Sequence, residues 1–293
     1  MNTLKNPLNQ RYQAILLLIG AAFLWSISGL LIKSVSWHPF AIAGMRSMIA
    51  ALIMFVYRRK FNFNWSPVQI GGAVAYAAMV ISFVSANKLT TSANAILIQY
   101  SAPVFVALFA HWFLGEKANK YDWLTIGVTL GAMALFFIDD LTMGNFWGNM
   151  VALFSGISFA GMTLLSRKQK EGSPLESLFL GNILTGITGL PFMFQSAPNP
   201  SGWLSLILLG VVQLGISYIL YAEAIKHVTA LEGILIPVIE PILNPLWVFL
   251  FLHEIPGKWA MVGGAIVITA VTFRCILTVR PSGGDSSLGA RSQ

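Results

Sequence analysis

The chain has 293 residues, 56% of them apolar and only 10% charged, against about 25% charged in an ordinary soluble domain. A water-soluble globule of this length is excluded, because its polar surface could not cover its core; lipid is the main solvent. The formal charge of +7 does not signal nucleic acid, since the Lys and Arg residues sit in short clusters between apolar runs.

A transmembrane helix needs about 20 mostly apolar residues to cross roughly 30 Å of hydrocarbon. Ten such runs follow one another: Ala14–Lys33, Pro39–Tyr57, Val68–Leu89, Ala93–Phe113, Tyr121–Ile138, Phe146–Leu165, Leu175–Phe194, Trp203–Ile225, Gly233–Leu252 and Lys258–Leu277. The connections are short and hold the Gly and Pro punctuation, and no soluble domain fits between them. The first run is too long for a cleaved signal peptide and precedes nine more. Residues 1–13 are expected to be a cytoplasmic N-terminus and 278–293 a disordered cytoplasmic tail. With the N-terminus inside, fourteen of the Lys and Arg residues fall on the inner side, and Lys33, Lys88 and Lys258 alone fall on the outer. That bias orients a multi-pass inner-membrane protein with both termini in the cytoplasm.

An internal repeat organises these runs. Shifted by 138 residues without gaps, Ala86–Glu116 lies over Ala224–Glu254 with eleven of 31 positions identical. The identities include Lys88/Lys226, Pro103/Pro241 and Glu116/Glu254, which biased composition does not supply. The same offset sets Gly127 and Gly131 over Ala265 and Thr269, a small-residue spacing that permits close helix packing. The expected organisation is therefore a five-helix repeat over 14–138, a linker over 139–145 and a second repeat over 146–277. An odd number of helices per repeat makes the halves insert in opposite orientations, the arrangement that underlies alternating access.

The repeated proline followed by an acid at the helix end resembles the EamA-type transporters of the drug/metabolite transporter superfamily. The residues that carry the resemblance are Pro103 with Phe113-Leu-Gly-Glu-Lys117, Glu240-Pro241 with Phe251-Leu-His-Glu254, Ala22-Phe-Leu-Trp25-Ser26, and Arg46. The sequence departs from the repeat at His253, opposite Gly115, and at Phe159, where Trp25 would be echoed. The resemblance implies ten helices around a central cavity. It also implies substrates such as amino acids, amines, vitamins or other small metabolites.

Ionisable groups deep in the bilayer cost roughly 3 kcal/mol on insertion scales, so they mark function by default. Two qualify, Arg46 in the second run and Glu240 in the ninth, both near mid-span. They are candidate substrate or gating charges, which could pair in one state and part in another; the bland alternative is a static buried ion pair. Arg46 is permanently charged, whereas Glu240 can exchange a proton and is the candidate for proton coupling. Pro103 in the fourth run, and Pro237, Pro241 and Pro245 in the ninth, each remove a backbone donor and free the carbonyl four residues earlier. Such carbonyls are not tolerated against lipid, so these helices should border a cavity or protein. Gln99, Tyr100 and Asn244 lie nearby. Trp25, Tyr76 and Tyr218 are deep enough to stack on a substrate or to surround an ammonium group. Glu116 and Glu254, at helix ends, read as tethers, and Glu223 and Glu232 as solvated surface acids.

Other classes fit poorly. One cysteine, Cys275, and four histidines without ligand spacing offer no metal centre, and the sequence calls for no cofactor. An intramembrane enzyme would want paired aspartates or a serine–histidine pair at depth, and a channel would want a ring or filter. With no nucleotide-binding loop, the expected protein is a secondary or facilitated transporter, a monomer or homodimer. Its expected cargo is a small polar metabolite, first an amino acid or related compound moved outward, and second an organic cation or amine.

Overall fold

A computed structural model describes residues 7–90, 92–136, 146–243, 247 and 258–279. Every regular element among them is a helix: α1 (Pro7–Trp25), α2 (Ser28–Ser34), α3 (Pro39–Arg58), α4 (Pro67–Leu89), α5 (Ser92–Gln99), α6 (Ala102–Leu114), α7 (Lys120–Phe136), α8 (Phe146–Lys168), α9 (Pro174–Met193), α10 (Pro200–Leu208), α11 (Ser217–Ala224), α12 (Ala230–Leu235) and α13 (Lys258–Val279). A π-helical segment, Leu209–Ile216, joins α10 to α11, and a 3-10 turn, Ile236–Ile239, continues α12. Six of the resulting helical stretches are long and apolar enough to cross a bilayer: Asn9–Ser34, α3, α4, α8, α9 and Pro200–Ala224.

Helix starts follow from local chemistry. Pro39, Pro67, Pro174 and Pro200 each open a helix, where proline's missing N–H is one of the donors left over anyway. Ser66 and Asn199 cap α4 and α10 by accepting the N–H groups of Gln69 and Gly202. At the other end of α6, Gly115 takes the left-handed conformation, φ 72°, that terminates a helix at little steric cost.

Four of the expected spans are not continuous helices. The first breaks between Trp25 and Ser28, where Ser26 Oγ turns back onto the Phe23 carbonyl at 2.6 Å. The fourth breaks at Tyr100 and Ser101, because Pro103 cannot donate to the Gln99 carbonyl. That carbonyl packs on α8 at Gly156, where a Cβ would come within 2.8 Å of it. In the eighth the backbone widens into the π segment. In the ninth Pro237 and Pro241 lack N–H groups, and the chain tightens so that Glu240 N–H bonds the Pro237 carbonyl. Hydrophobic pattern alone cannot show such breaks, because both sides of each remain apolar.

Packing pairs α3 with α9, α4 with α8 and α9, α1 with α11, α6 with α8 and α12, and α7 with α13. The closest approach of α3 to α9 is at two glycines: a Cβ on Gly44 would lie 2.8 Å from Gly189 Cα. Backbones meet this closely only where side chains are absent. The expectation for Gly127 and Gly131 is corrected. Although α7 and α13 pack together, both glycines face open space among the described residues, so the contact stripe lies elsewhere on α7.

Candidate functional site

The breaks of the first and ninth spans, the π segment and the middles of α3 and α4 converge on a cavity of about 30 Å³. Its polar lining is Arg46, Gln99, Gln213 and Glu240, and its aromatic lining is Trp25, Phe159 and Tyr218, with Phe83 beside them. The volume admits only a few waters, whereas metabolite pockets run to several hundred Å³. At this volume the centre is closed to a metabolite.

Arg46 is 1% exposed. Its Nη1 donates to Gln213 Oε1 at 3.1 Å, and its Nε has no hydrogen-bond partner among the described residues. Gln213 reaches it because the π segment carries Gly210 and Gly215 against α3. A Cβ on Gly210 would lie 2.5 Å from Ile49 Cβ and 2.9 Å from the Arg46 carbonyl. Small residues bring the helices together and the widened backbone turns the glutamine inward, a use of π-helix common at functional sites.

Glu240 sits across the cavity wall and accepts the Tyr100 hydroxyl at 2.7 Å. The same hydroxyl lies 2.9 Å from the Pro237 carbonyl, the one that Pro241 deprives of its helical donor. One hydroxyl proton thus faces two acceptors. No ion pair joins Arg46 to Glu240: the two charges share a cavity, but each bonds a neutral neighbour. The static buried ion pair is therefore not what this structure contains.

Trp25 stands at the first helix break, 3% exposed, with its indole Nε1 unbonded among the described residues. Its ring packs on Tyr218 at 4.9 Å, Tyr221 at 5.6 Å and Phe159 at 6.2 Å between centroids. Tyr76 stands behind this layer, edge-on to Tyr218 at 4.9 Å, and donates to Asn182 at 3.2 Å. It supports the wall without forming it. Gln99 donates to Ser155, which in turn donates to the Met79 carbonyl; this chain anchors α5 to α8 and α4. Pro103 opens α6 away from the cavity. Asn244 and Pro245 lie outside the described residues.

Structure thus brings Arg46, Glu240, Trp25, Gln99 and Tyr218 to one cavity, with Tyr100 and Pro237 directly behind Glu240. Sequence reading missed Gln213 and assigned no role to Phe159. A lone glutamine in an otherwise apolar run, flanked by Gly210 and Gly215, was the signal for the first. Of the acids, Glu116 is a tether as expected, pairing with Arg167 at 2.8 Å. Glu232 differs: it is buried, caps α12 with Thr229 and pairs with Arg11.

These features define a multi-pass α-helical membrane protein with a charged, aromatic-walled centre. The EamA-like transporter family matches this chain twice, over residues 13–138 and 146–274, and the chain belongs to that family: it is a membrane transporter. The pseudopaline exporter CntI of Pseudomonas aeruginosa is 26% identical, covering 92% of this chain and 97% of its own. Solute carrier family 35 member G1 of Mus musculus is 25% identical over 86% of this chain and 75% of its own. A crystal structure with 20% identity superposes with a TM-score of 0.78, covering 91% of this chain and 98% of that one, and so shares the fold.

Proposed function

We propose that the protein carries a zwitterionic small metabolite, an amino acid or related compound, across the inner membrane by alternating access. The observation that carries this reading is the pair of unfilled donors at the centre. Arg46 Nε and Trp25 Nε1 are buried without partners among the described residues, and both residues line the same cavity as Glu240. A buried guanidinium holding one neutral hydrogen bond is costly, and a substrate carboxylate would supply the missing acceptors bidentately. Glu240 faces the ammonium end. The other candidate residues serve this pocket: Gln99 and Tyr218 from its walls, Tyr100 through Glu240, Tyr76 from behind, and Asn244 from the ninth span.

Ten spans in two oppositely oriented five-helix repeats, 14–138 and 146–277, complete the reading, with residues 1–13 and 278–293 cytoplasmic and 139–145 between the repeats. The helix pairing supports it. Exchanging the halves turns the contact of α4 with α8 into that of α11 with α1, and leaves α3·α9 and α7·α13 unchanged. Pro103, Pro237, Pro241 and Pro245 act as the joints. Proton coupling rests on Glu240 and Tyr100: a neutral Glu240 donates to the Tyr100 oxygen and frees its O–H for the Pro237 carbonyl, whereas an ionised one takes that O–H itself. The exporter among the relatives supports outward transport. An amine substrate is the second reading, favoured by Trp25 and Tyr218 beside Glu240.

The test is flux in proteoliposomes with amino acids and amines identified as stabilising in a thermal-shift screen. For a zwitterion, Arg46→Ala and Glu240→Gln each suppress saturable flux. Unaltered flux in Arg46→Ala, with loss in Glu240→Gln, would replace the zwitterion by the amine.

A further inference from the structure

The ninth span enters the protein through α12, six residues long and buried at every one. From Leu231 to Glu240 this stretch runs between two separate cavities. One is the closed centre. The other, about 160 Å³, is walled by Glu116, Asn119, Asp122, Thr229 and Leu231 among others and shares no lining residue with the centre. What holds α12 in place therefore holds the two spaces apart.

Two carboxylates do so. Glu116, beyond the end of α6, accepts Ala230 N–H at 2.8 Å on one oxygen and Arg167 Nε at 2.8 Å on the other. Arg167 Nη1 also donates to the carbonyls of Lys226 at 2.7 Å and Ile225 at 3.1 Å. One side-chain pair thus fastens the ends of α6, α8 and α11 and the start of α12. A turn further on, Glu232 pairs with Arg11 of α1. Glu116 and Arg11 belong to the first half of the chain, and their partners to the second, so these ties cross between the halves. They are charge-assisted and partly buried, hence stronger than neutral bonds and little screened.

The opposite ends of the helices are joined differently. There the cross-half bonds among the described residues include neutral ones: Ser34 with Ser205 at 2.8 Å, Trp37 to the Ser196 carbonyl at 2.8 Å, and Thr90 Oγ1 to Asn149 Oδ1 at 3.3 Å. Two of the cations at that end, Lys33 and Lys88, donate to the carbonyls of Thr90 and Val35 within their own half. Among the described residues, the charged ties between the halves lie at the Glu116 face.

We infer that Glu116 and Arg167 are gating residues, a latch whose release frees α12, joins the 160 Å³ recess to the centre and opens the pathway at this face. This rests on the alternating-access reading above.

The test uses the full chain with Cys275→Ser and a reporter, Val80→Cys, in the wall of the central cavity. An impermeant thiol reagent is added to oriented vesicles from either side, without substrate. Glu116→Gln and Arg167→Gln should each raise labelling from the latch side about tenfold, the shift expected from losing one charge-assisted hydrogen bond. Labelling from the far side should fall or stay level. Arg11→Gln, a milder change, should act in the same direction. Unchanged latch-side labelling overturns the inference, and so does an equal rise from both sides, which would mean general loosening. Because no substrate is present, this result is independent of whether a zwitterion is carried.

Discussion

Arg46 offers the sharpest separation of a functional charge from a structural one. Replacing it together with its partner, as Arg46→Met with Gln213→Leu, removes a buried guanidinium and the single hydrogen bond it makes. A hydrogen bond to a charged group is worth about 1.5–3 kcal/mol. Against that loss stands the desolvation penalty of the buried ion, several kcal/mol even after relaxation, which no carboxylate among the described residues offsets. The apolar pair fills similar volume in a cavity of only about 30 Å³. The double variant should therefore melt at the same temperature as the wild type or higher, while saturable transport is lost. Had Arg46 been half of a structural ion pair, removing it alone would cost about 3–5 kcal/mol. At about 2–4 °C per kcal/mol for chains of roughly 150–250 residues, that is a large drop. Thermal unfolding in detergent, beside flux in liposomes, decides it. A melting temperature lowered by about 10 °C or more in the monodisperse double variant would refute the reasoning.

Two further outcomes follow from the same site. Gly210→Leu puts a side chain where even a Cβ would meet Ile49 at 2.5 Å; α3 and the π segment must part, at about 1–3 kcal/mol, and substrate affinity measured by binding should fall because Gln213 and Arg46 separate. Trp25→Phe keeps an aromatic ring but removes an indole N–H that has no partner among the described residues. Stability should hold within about 1 kcal/mol by thermal melting, whereas apparent KM rises; an unchanged KM would show that this donor never meets substrate.

Sequence reading reached the helical membrane class, the repeat and the family because they rest on signals that survive without coordinates. Runs of apolar residues must be long enough for hydrocarbon, and Pro103/Pro241 with Glu116/Glu254 are matches that composition does not produce. It also found the two deep charges, since an ion in a span is conspicuous whatever its neighbours are. It could not find the breaks in the first and eighth spans, because Ser26 and the glycines of the π segment leave the apolar pattern intact. Nor could it assign partners. Gln213 lies 167 positions from Arg46, and Tyr100 lies 140 from Glu240.

What the residues determine alone is their solvent, for a chain this poor in charge has no stable arrangement in water. What only the tertiary structure decides is which polar groups are left wanting. Whether a buried donor is satisfied depends on the few ångströms around it, and those are set by helix approach at places such as Gly44, Gly189 and Gly210. That is why the deep charges were legible from the start, while the unfilled bonds at Arg46 and Trp25, and the latch at Glu116, became visible only once the helices were packed.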